Sequence, residues 1–358
     1  MCFIVEQSLT SETKGDSMGS IVSGKRRYIN ETPGRKPDQM SREHIDHSDI
    51  HSFADTYVNL KREDAKELRE QVWRLRDKLE SYVAEHPDFE LRKMLLSGSL
   101  AKGTALKSIN DIDVACYVSA NKAPASTYDL IPFLAEKLRK AFPHFKSEQV
   151  TPNSYSVTVQ FISSGLRVDV VPILYENDPE WRGYLISQDN GEKLLTSIPM
   201  HLDFTRRRKQ ANKVHFAQVV RLVKFWVRQR KKADAEFRLK SFMVELLIAY
   251  LADRGLELTD YPEALAAIFA FIATDQFASI ISFSDNNPAS ACSVSNDPIC
   301  IWDPVNCENN VAKLYTKDQR ERIVDAALDA GDAIDSALRA PTKGETLVYW
   351  RKVFGPSF

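Results

Sequence analysis

Two aspartates, Asp111 and Asp113, flank a single isoleucine in DIDVACYV, and a third, Asp169, stands between two valines in LRVDVVPIL. Both stretches are rich in β-formers and read as strands. Alternate residues of a strand share a face, so Asp111 and Asp113 point one way and Ile112 and Val114 the other. Three carboxylates converging from two neighbouring strands repel one another unless a cation neutralises them. A pair of Mg²⁺ ions about 4 Å apart, with Mn²⁺ as a possible substitute, is the usual solution. Such a pair activates an attacking hydroxyl and holds a triphosphate.

Gly98-Ser99 supplies a second element of that chemistry. Glycine lets backbone amides approach a phosphate closely, and a helical turn after it aims its N-terminal N–H groups at the anion. Eleven residues separate Ser99 from Asp111, enough for one short helix and a return to the sheet. Taken singly, a Gly-Ser pair is nearly always a turn, and an Asp-x-Asp on a strand is usually a solvated edge or an ion-pair site. The ordered combination is far more specific. Gly-Ser, then Asp-apolar-Asp, then a third apolar-Asp-apolar resembles the signature of the polymerase-β-like nucleotidyltransferase superfamily. Ser97 departs from the apolar residue that pattern has before its glycine, while Leu95 and Leu96 still supply a strand.

Cations follow in RLVKFWVRQRKK, where Arg221, Lys224 and Arg228 recur at helical steps beside an apolar face of Val219, Leu222, Val223 and Trp226. Lys224 either reaches the incoming phosphates or pairs with Glu245. In LKSF, Ser241 is a candidate phosphate contact and Phe242 a candidate base-stacking residue, against the plainer reading of a helix cap and a core residue. The runs Arg206-Arg207-Arg208-Lys209 and Arg230-Lys231-Lys232 are either a solvated face or contacts to nucleic-acid phosphates.

These side chains need a scaffold. Residues 1–39 are polar, lack periodicity and read as a disordered or non-native extension, with Met40 as a candidate start. The apolar spacing of Leu68, Val72, Leu75 and Leu79 predicts a long amphipathic helix over 62–85. Strands are predicted at 93–96 and 111–118, and a helix over 128–141. Two more strands, 156–162 and 166–174, form a hairpin around Ser163-Ser164-Gly165. Helices over 215–230, 242–251, 262–272 and 318–338 then dominate. The reading is an α+β protein in which residues 40–199 form a mixed twisted sheet backed by helices. Residues 200–358 form an α-helical second domain, and the active site lies in the cleft between the two lobes.

Composition bounds the rest. A chain of 358 residues with 43% hydrophobic content has material for a real core. A net charge of −1 argues against a general polyanion coat but leaves room for a local basic groove. Five cysteines without a C-x-x-C pair suit a reducing cytoplasm. Cys292, Cys300 and Cys307 lie close in sequence, but their spacing does not suit a zinc knuckle. No apolar run approaches the roughly 20 residues of a membrane span, and the N-terminus is unlike a secretory signal.

The stretches GSLAKGTALKSINDIDV, LRVDVVP, RLVKFW, LKSFMVELL and IWDPVNCENNVAKLY resemble, in order and spacing, the bacterial cGAS/DncV-like nucleotidyltransferases, or CD-NTases. The resemblance covers essentially all of residues 40–358. HPDFELRKMLLSGSLAKGTAL, WRGYLISQDNG and DAGDAIDSALRAPTK are similar to clade C of that family. The resemblance implies a polymerase-β-like core with a helical OAS-like domain, and synthesis of a cyclic oligonucleotide from ATP in CBASS anti-phage defence. For this clade the implied product is 3′,3′,3′-cyclic tri-AMP. It implies a HORMA-domain partner with an AAA+ remodeller, long double-stranded DNA as a possible activator, and an effector nuclease reached through the product.

Carried onto this chain, the resemblance places Gly98 and Ser99 at the donor triphosphate and Asp111, Asp113 and Asp169 on the metals. Lys224 and Ser241 fall near phosphate and Phe242 near the base. Asp303, Asn306 and Asn310 fall in a segment that returns to the cleft, either touching the base or closing the loop. The implied reaction is in-line attack of an acceptor 3′-hydroxyl on the donor α-phosphate, with Asp169 assisting deprotonation and pyrophosphate leaving. Two other readings stand beside it: an enzyme that adenylylates a small molecule, RNA or protein, and a catalytically silent nucleotide sensor.

Overall fold

The computed structural model describes residues 44–358 apart from 87, 89, 110, 125, 189–190, 287–291 and 293–294. The reading of residues 1–39 lies outside the described residues. Residues 42–358 cluster as one compact unit.

The chain enters through α1 (His47–Phe53), capped by Asp46, whose carboxylate accepts from the amides of Ser48 and Asp49. Then come α2 (Arg62–Glu85), β1 (Leu91–Leu96), the five-residue α3 (Gly98–Lys102), β2 (Asp111–Ser119) and α4 (Leu130–Ala141). The expected helix over 128–141 begins only at Leu130, after a 3₁₀ turn at Thr127–Asp129. Pro132 explains the shift: without an N–H it is accommodated in the first turn of a helix and not further in.

Strands β3 (Val150–Pro152), β4 (Val157–Phe161), β5 (Leu166–Tyr175), β6 (Gly183–Ile186) and β7 (Lys193–Thr196) complete a seven-stranded sheet. Its main order is β1-β2-β5-β4-β3, with β6 pairing β5, and β7 pairing β6. Among the described strands of this sheet, only the β2–β5 pair is parallel. The β4–β5 hairpin turns at Gly165, whose φ of 68° favours glycine. Val72, Leu75 and Leu79 of α2 and Ile131, Leu134 and Leu138 of α4 pack against Ile112, Val114, Val168 and Val170 of the sheet. The opposite face of β2 and β5 carries the aspartates.

Helices α5 (Ile198–Ala211), α6 (Lys213–Ala233), α7 (Ser241–Asp253), α8 (Tyr261–Asp275), α9 (Lys317–Arg339) and α10 (Lys343–Phe354) build the second core. Trp226 of α6 packs on Phe269 of α8 with ring centres 4.7 Å apart. Helix α1 joins this helical core: Phe53 lies edge-on to Phe225 of α6 at 5.6 Å. Among the described residues no helix is long and apolar enough to cross a membrane.

Candidate active site

Strands β2 and β5 pair so that Asp113 stands directly beside Asp169, and Asp111 beside Arg167. The neighbouring strand β4 places Thr158 opposite Asp169, and the Thr158 hydroxyl donates to Oδ1 of that carboxylate. Asp111 is exposed and its Oδ1 lies 3.4 Å from Nε of Arg167. Burial, and after it the charges of Asp169 and Asp111, push the Asp113 carboxyl above its ordinary range, while Lys102 and Lys224 work the other way. Two acidic groups forced together in a half-buried cleft are what a divalent cation relieves.

No group of three His, Cys, Asp or Glu side chains among the described residues is gathered closely enough to hold one ion. Asp113 and Asp169 are already side by side, and Asp111 has to leave Arg167 to join them. The donor chemistry of the three carboxylates suits Mg²⁺ or Mn²⁺. Cys300 is buried, with its sulfur 3.7 Å from each of the Ser295 and Asp297 carbonyls.

Gly98 opens α3 against this acidic edge. A Cβ at Gly98 would lie 1.8 Å from Oδ2 of Asp113, and its φ of 60° is left-handed. Only glycine fits between strand and helix there. Gly98 and Asp113 line a cavity of about 490 Å³ together with Lys102, Phe242 and Asp303. Its walls include Val171 and Leu185 from the sheet and Val311 and Leu314 from the loop before α9, so it lies between the two halves. Phe242 presents its ring with Lys102 Nζ 4.5 Å from the centre and His201 edge-on at 5.5 Å. An aromatic face beside apolar walls suits a nucleobase.

Of the other expected residues, Asp303 and Asn310 also line this cavity, Ser99, Lys224 and Ser241 line a smaller one, and Asp111, Asp169 and Asn306 line neither. Ser99, Lys224 and Ser241 line a space of about 260 Å³ together with Thr104, Arg228 and Lys231. Lys224 is buried and its Nζ lies 2.5 Å from Oε1 of Glu245, so the pairing alternative is the arrangement present. Glu245 Oε2 also accepts from Lys102 at 2.8 Å, and Oε1 from the Thr104 hydroxyl at 2.7 Å. Burial acts to raise the Glu245 carboxyl, but the two lysines outweigh it and bring it down to about 2. Lys224 is held below its ordinary value by burial, against the pull of Glu245.

Asp303 is buried and accepts from His201 Nε2 at 2.7 Å, the Val305 amide at 2.9 Å and the Asn309 side chain at 3.2 Å. Burial would raise it, but His201 and these donors lower it. Asn306 donates to the Leu195 carbonyl at 3.2 Å and accepts from the Glu308 amide at 3.0 Å. Asn310 accepts from the amides of Ile301 and Ala312 and donates to Asp297 and the Ile299 carbonyl. Both amides are spent on closing the loop. Arg221 does not share the place of Lys224 and Arg228: it is bound to Asn59, Gln218 and the Gly103 carbonyl. In the 206–209 run, Arg206 and Arg207 pair with Asp203, and buried Arg208 pairs with Asp253 and Asp285.

Lys102, Thr104, Thr158 and His201 were not singled out from the sequence. Lys102 and Thr104 do lie inside the glycine-bearing motif. Thr158 and His201 carry no local signal: Thr158 is defined by Asp169 across the β4–β5 hairpin, and His201 by Asp303, 102 residues along the chain.

Residues 46–212 match the family described as the Second Messenger Oligonucleotide or Dinucleotide Synthetase domain. The cyclic AMP-AMP-AMP synthase of Escherichia coli strain MS 115-1 is 54% identical over 319 residues, covering 89% of this chain and 99% of that protein. The chain belongs to the CD-NTases. A structure of E. coli MS115-1 CdnC with ATP superposes on this CD-NTase with a TM-score of 0.82 at 54% identity, covering 88% of this chain and 99% of that one. A structure of the same CdnC with a HORMA protein gives 0.82 at 53% identity, covering 88% and 98%. This CD-NTase is a nucleotidyltransferase with the α+β fold expected for it.

Proposed function

We propose that the chain condenses ATP into 3′,3′,3′-cyclic tri-AMP as a second messenger in CBASS defence. The carrying observation is Asp113, paired with Asp169 across β2 and β5 and set against Gly98, lining a cavity that also presents Phe242, in a chain 54% identical to a cyclic AMP-AMP-AMP synthase over 89% of its length.

Asp111, Asp113 and Asp169 are the residues to hold two Mg²⁺ ions. When bound, the metal supplies an activated acceptor hydroxyl and charge stabilisation on the triphosphate. The chain does the positioning. Thr158 fixes one oxygen of Asp169, leaving the other to take the proton of the acceptor 3′-hydroxyl. Gly98 and Ser99 let the donor phosphates approach the start of α3, and Ser241 offers a hydroxyl across the smaller cavity. Phe242 stacks the adenine. Asp303 orients His201 along the cavity wall. Lys102 and Lys224 share one carboxylate, so together they leave net positive charge facing the leaving pyrophosphate.

A HORMA-domain partner is proposed because the CdnC of 53% identity has been solved with one. An AAA+ remodeller, long double-stranded DNA as activator and a nuclease downstream follow from the family resemblance. The cytoplasm is the proposed location, where ATP and a reducing environment for the free thiols are found. The test is mass spectrometry of products from ATP, GTP and Mg²⁺, run alone, with long DNA and with the HORMA partner. Cyclic tri-AMP that disappears in Asp111→Asn/Asp113→Asn supports the reading. Pyrophosphate release only when another acceptor is added would replace it with adenylyl transfer.

A further inference from the structure

One wall of the cavity at Phe242 carries His201, from the first turn of α5, and Asp303, from the loop before α9. The two side chains meet across the fold, with His201 Nε2 2.7 Å from Asp303 Oδ1. The turn that holds His201 is pinned to the sheet. Its cap, Ser197, donates its hydroxyl to the Glu180 carbonyl at 2.8 Å, and the Ile198 amide donates to the Tyr117 hydroxyl at 3.1 Å. Asp303 is held by the Val305 amide and the Asn309 side chain besides. An imidazole tethered from both sides in this way keeps one orientation.

The contact also decides which ring nitrogen carries the proton. Burial acts to raise the Asp303 carboxyl, but His201 and the other donors bring it below its ordinary value, so it is ionised and accepts only. The proton between the two groups therefore belongs to His201 Nε2, and in the neutral ring Nδ1 keeps its lone pair. Nδ1 has no hydrogen-bond partner among the described residues, in a side chain that lines the cavity. Asn310 lines the same cavity, but its side chain is bound to Asp297 and to the backbone of the loop.

His201 and Phe242 have ring centres 5.5 Å apart and planes at 79°. A purine stacked on Phe242 lies parallel to that ring and nearly perpendicular to the imidazole. A donor in the plane of the purine edge then meets the Nδ1 lone pair along the line where the two planes cross. Adenine has such a donor, its exocyclic 6-amino group, where guanine has an oxygen acceptor.

We propose that His201 selects adenine over guanine, accepting at Nδ1 from the 6-amino group of the base on Phe242, with Asp303 as its positioning residue. A 6-oxo purine sets one lone pair against another and leaves both unpaired between the apolar walls of Val171, Leu185 and Val311. Rejection by an unpaired buried polar group discriminates more steeply than any added apolar contact. This role rests on the proposed reading of Phe242 as the base platform, but not on cyclisation of the product.

The test is calorimetry on the full chain with Mg²⁺ and α,β-methylene nucleoside triphosphates, whose P–C bond blocks turnover. Three bases are compared: adenine, hypoxanthine with its 6-oxo group, and purine with hydrogen at position 6. The native chain is expected to bind the adenine analogue at least about tenfold more tightly than the hypoxanthine analogue, with purine between them. His201→Leu should bring adenine and hypoxanthine to within about threefold of each other. His201→Gln keeps an N–H for Asp303 and a carbonyl oxygen for the base, and should keep the preference. A purely structural His201 would weaken all three analogues by one factor and leave their ratios alone. An unchanged ratio in His201→Leu overturns the proposal, as does a native chain that binds hypoxanthine as tightly as adenine. If His201→Leu is unfolded by circular dichroism, ¹⁵N NMR of the histidine-labelled native chain decides, with His201 assigned from His201→Gln. Its Nδ1 is expected to carry no proton, and to shift with the adenine analogue but not with purine. A protonated Nδ1, or equal shifts with both, overturns the proposal. Cyclic tri-AMP made by a chain whose ratio ignores His201 sinks this role alone; a ratio that narrows in His201→Leu of a chain making no cyclic product sinks only the cyclase reading.

Discussion

A methyl group on Gly98 would stand 1.8 Å from Oδ2 of Asp113, closer than any non-bonded carbon and oxygen can approach. Gly98→Ala must therefore push α3 off the strand or turn the carboxylate aside. Its φ of 60° adds backbone strain. We expect synthesis to fall by about 100-fold or more, as reacting groups displaced by about 1 Å do, while far-ultraviolet circular dichroism stays unchanged. Full activity in Gly98→Ala would show that the contact has no bearing on catalysis.

Asp113→Asn should separate function from stability. The folded environment penalises the ionised carboxylate, because burial and the neighbouring Asp169 both raise its pKa. A neutral amide removes that penalty. In metal-free buffer the variant is expected to melt at or above the temperature of the native chain, yet to make no cyclic product. A lower melting temperature would mean that Asp113 is held by contacts that outweigh its repulsion.

The Glu245 cluster gives an order of effects. Glu245→Ala leaves Lys224 buried without a carboxylate, a loss of about 3–5 kcal/mol in urea denaturation. Lys224→Met should cost less, because Glu245 keeps Lys102 and the Thr104 hydroxyl. The reverse order would show that Lys224 is stabilised by something other than this carboxylate.

The same residue sets a pH dependence. Its folded pKa of about 2 lies below the ordinary 4.5, so its contribution is complete above 4.5 and is lost as the pH falls toward 2. The stability difference between the native chain and Glu245→Ala should therefore shrink between about pH 5 and about pH 3. A difference constant over that window would contradict the lowered value.

Phe242→Ala tests the base platform. Removing a stacking ring costs about 1–3 kcal/mol per base, so the KM for ATP should rise roughly tenfold or more. Phe242→Tyr should restore it. If Phe242→Ala changes neither KM nor kcat, the ring is a wall of the cavity and nothing more.

How much of this was legible depended on how local each signal is. Asp111, Asp113 and Asp169 announce themselves, because a carboxylate within a β-forming run is conspicuous whatever lies around it. Helix α2 was placed to the residue, since its apolar spacing is regular over its whole length. Helix α5 was not expected: its 14 residues hold RRRK and little apolar periodicity, and it is Ser197 at the cap and Pro199 in the first turn that mark its start. Strands β6 and β7 are four residues each, too short for a pattern to form. The pairing of Lys224 with Glu245 was visible as an alternative, because both are lone charges in apolar helices. Lys102, 143 residues from Glu245, was not. The roles of Asn306 and Asn310 were likewise undecidable before their amides were seen bound to the backbone on either side of the loop.

All three aspartates are translated before residue 170, yet the carboxylate that gathers Lys102, Thr104 and Lys224 arrives only with α7. A fragment ending between those points carries all three aspartates proposed to hold metal and none of the pin that fixes the lysines. On the proposed roles of these residues, the site is complete only once the helical half has been made and docked. On the proposed roles a broken or half-synthesised chain would lack that pin and stay silent, a useful property in an enzyme whose product is an alarm.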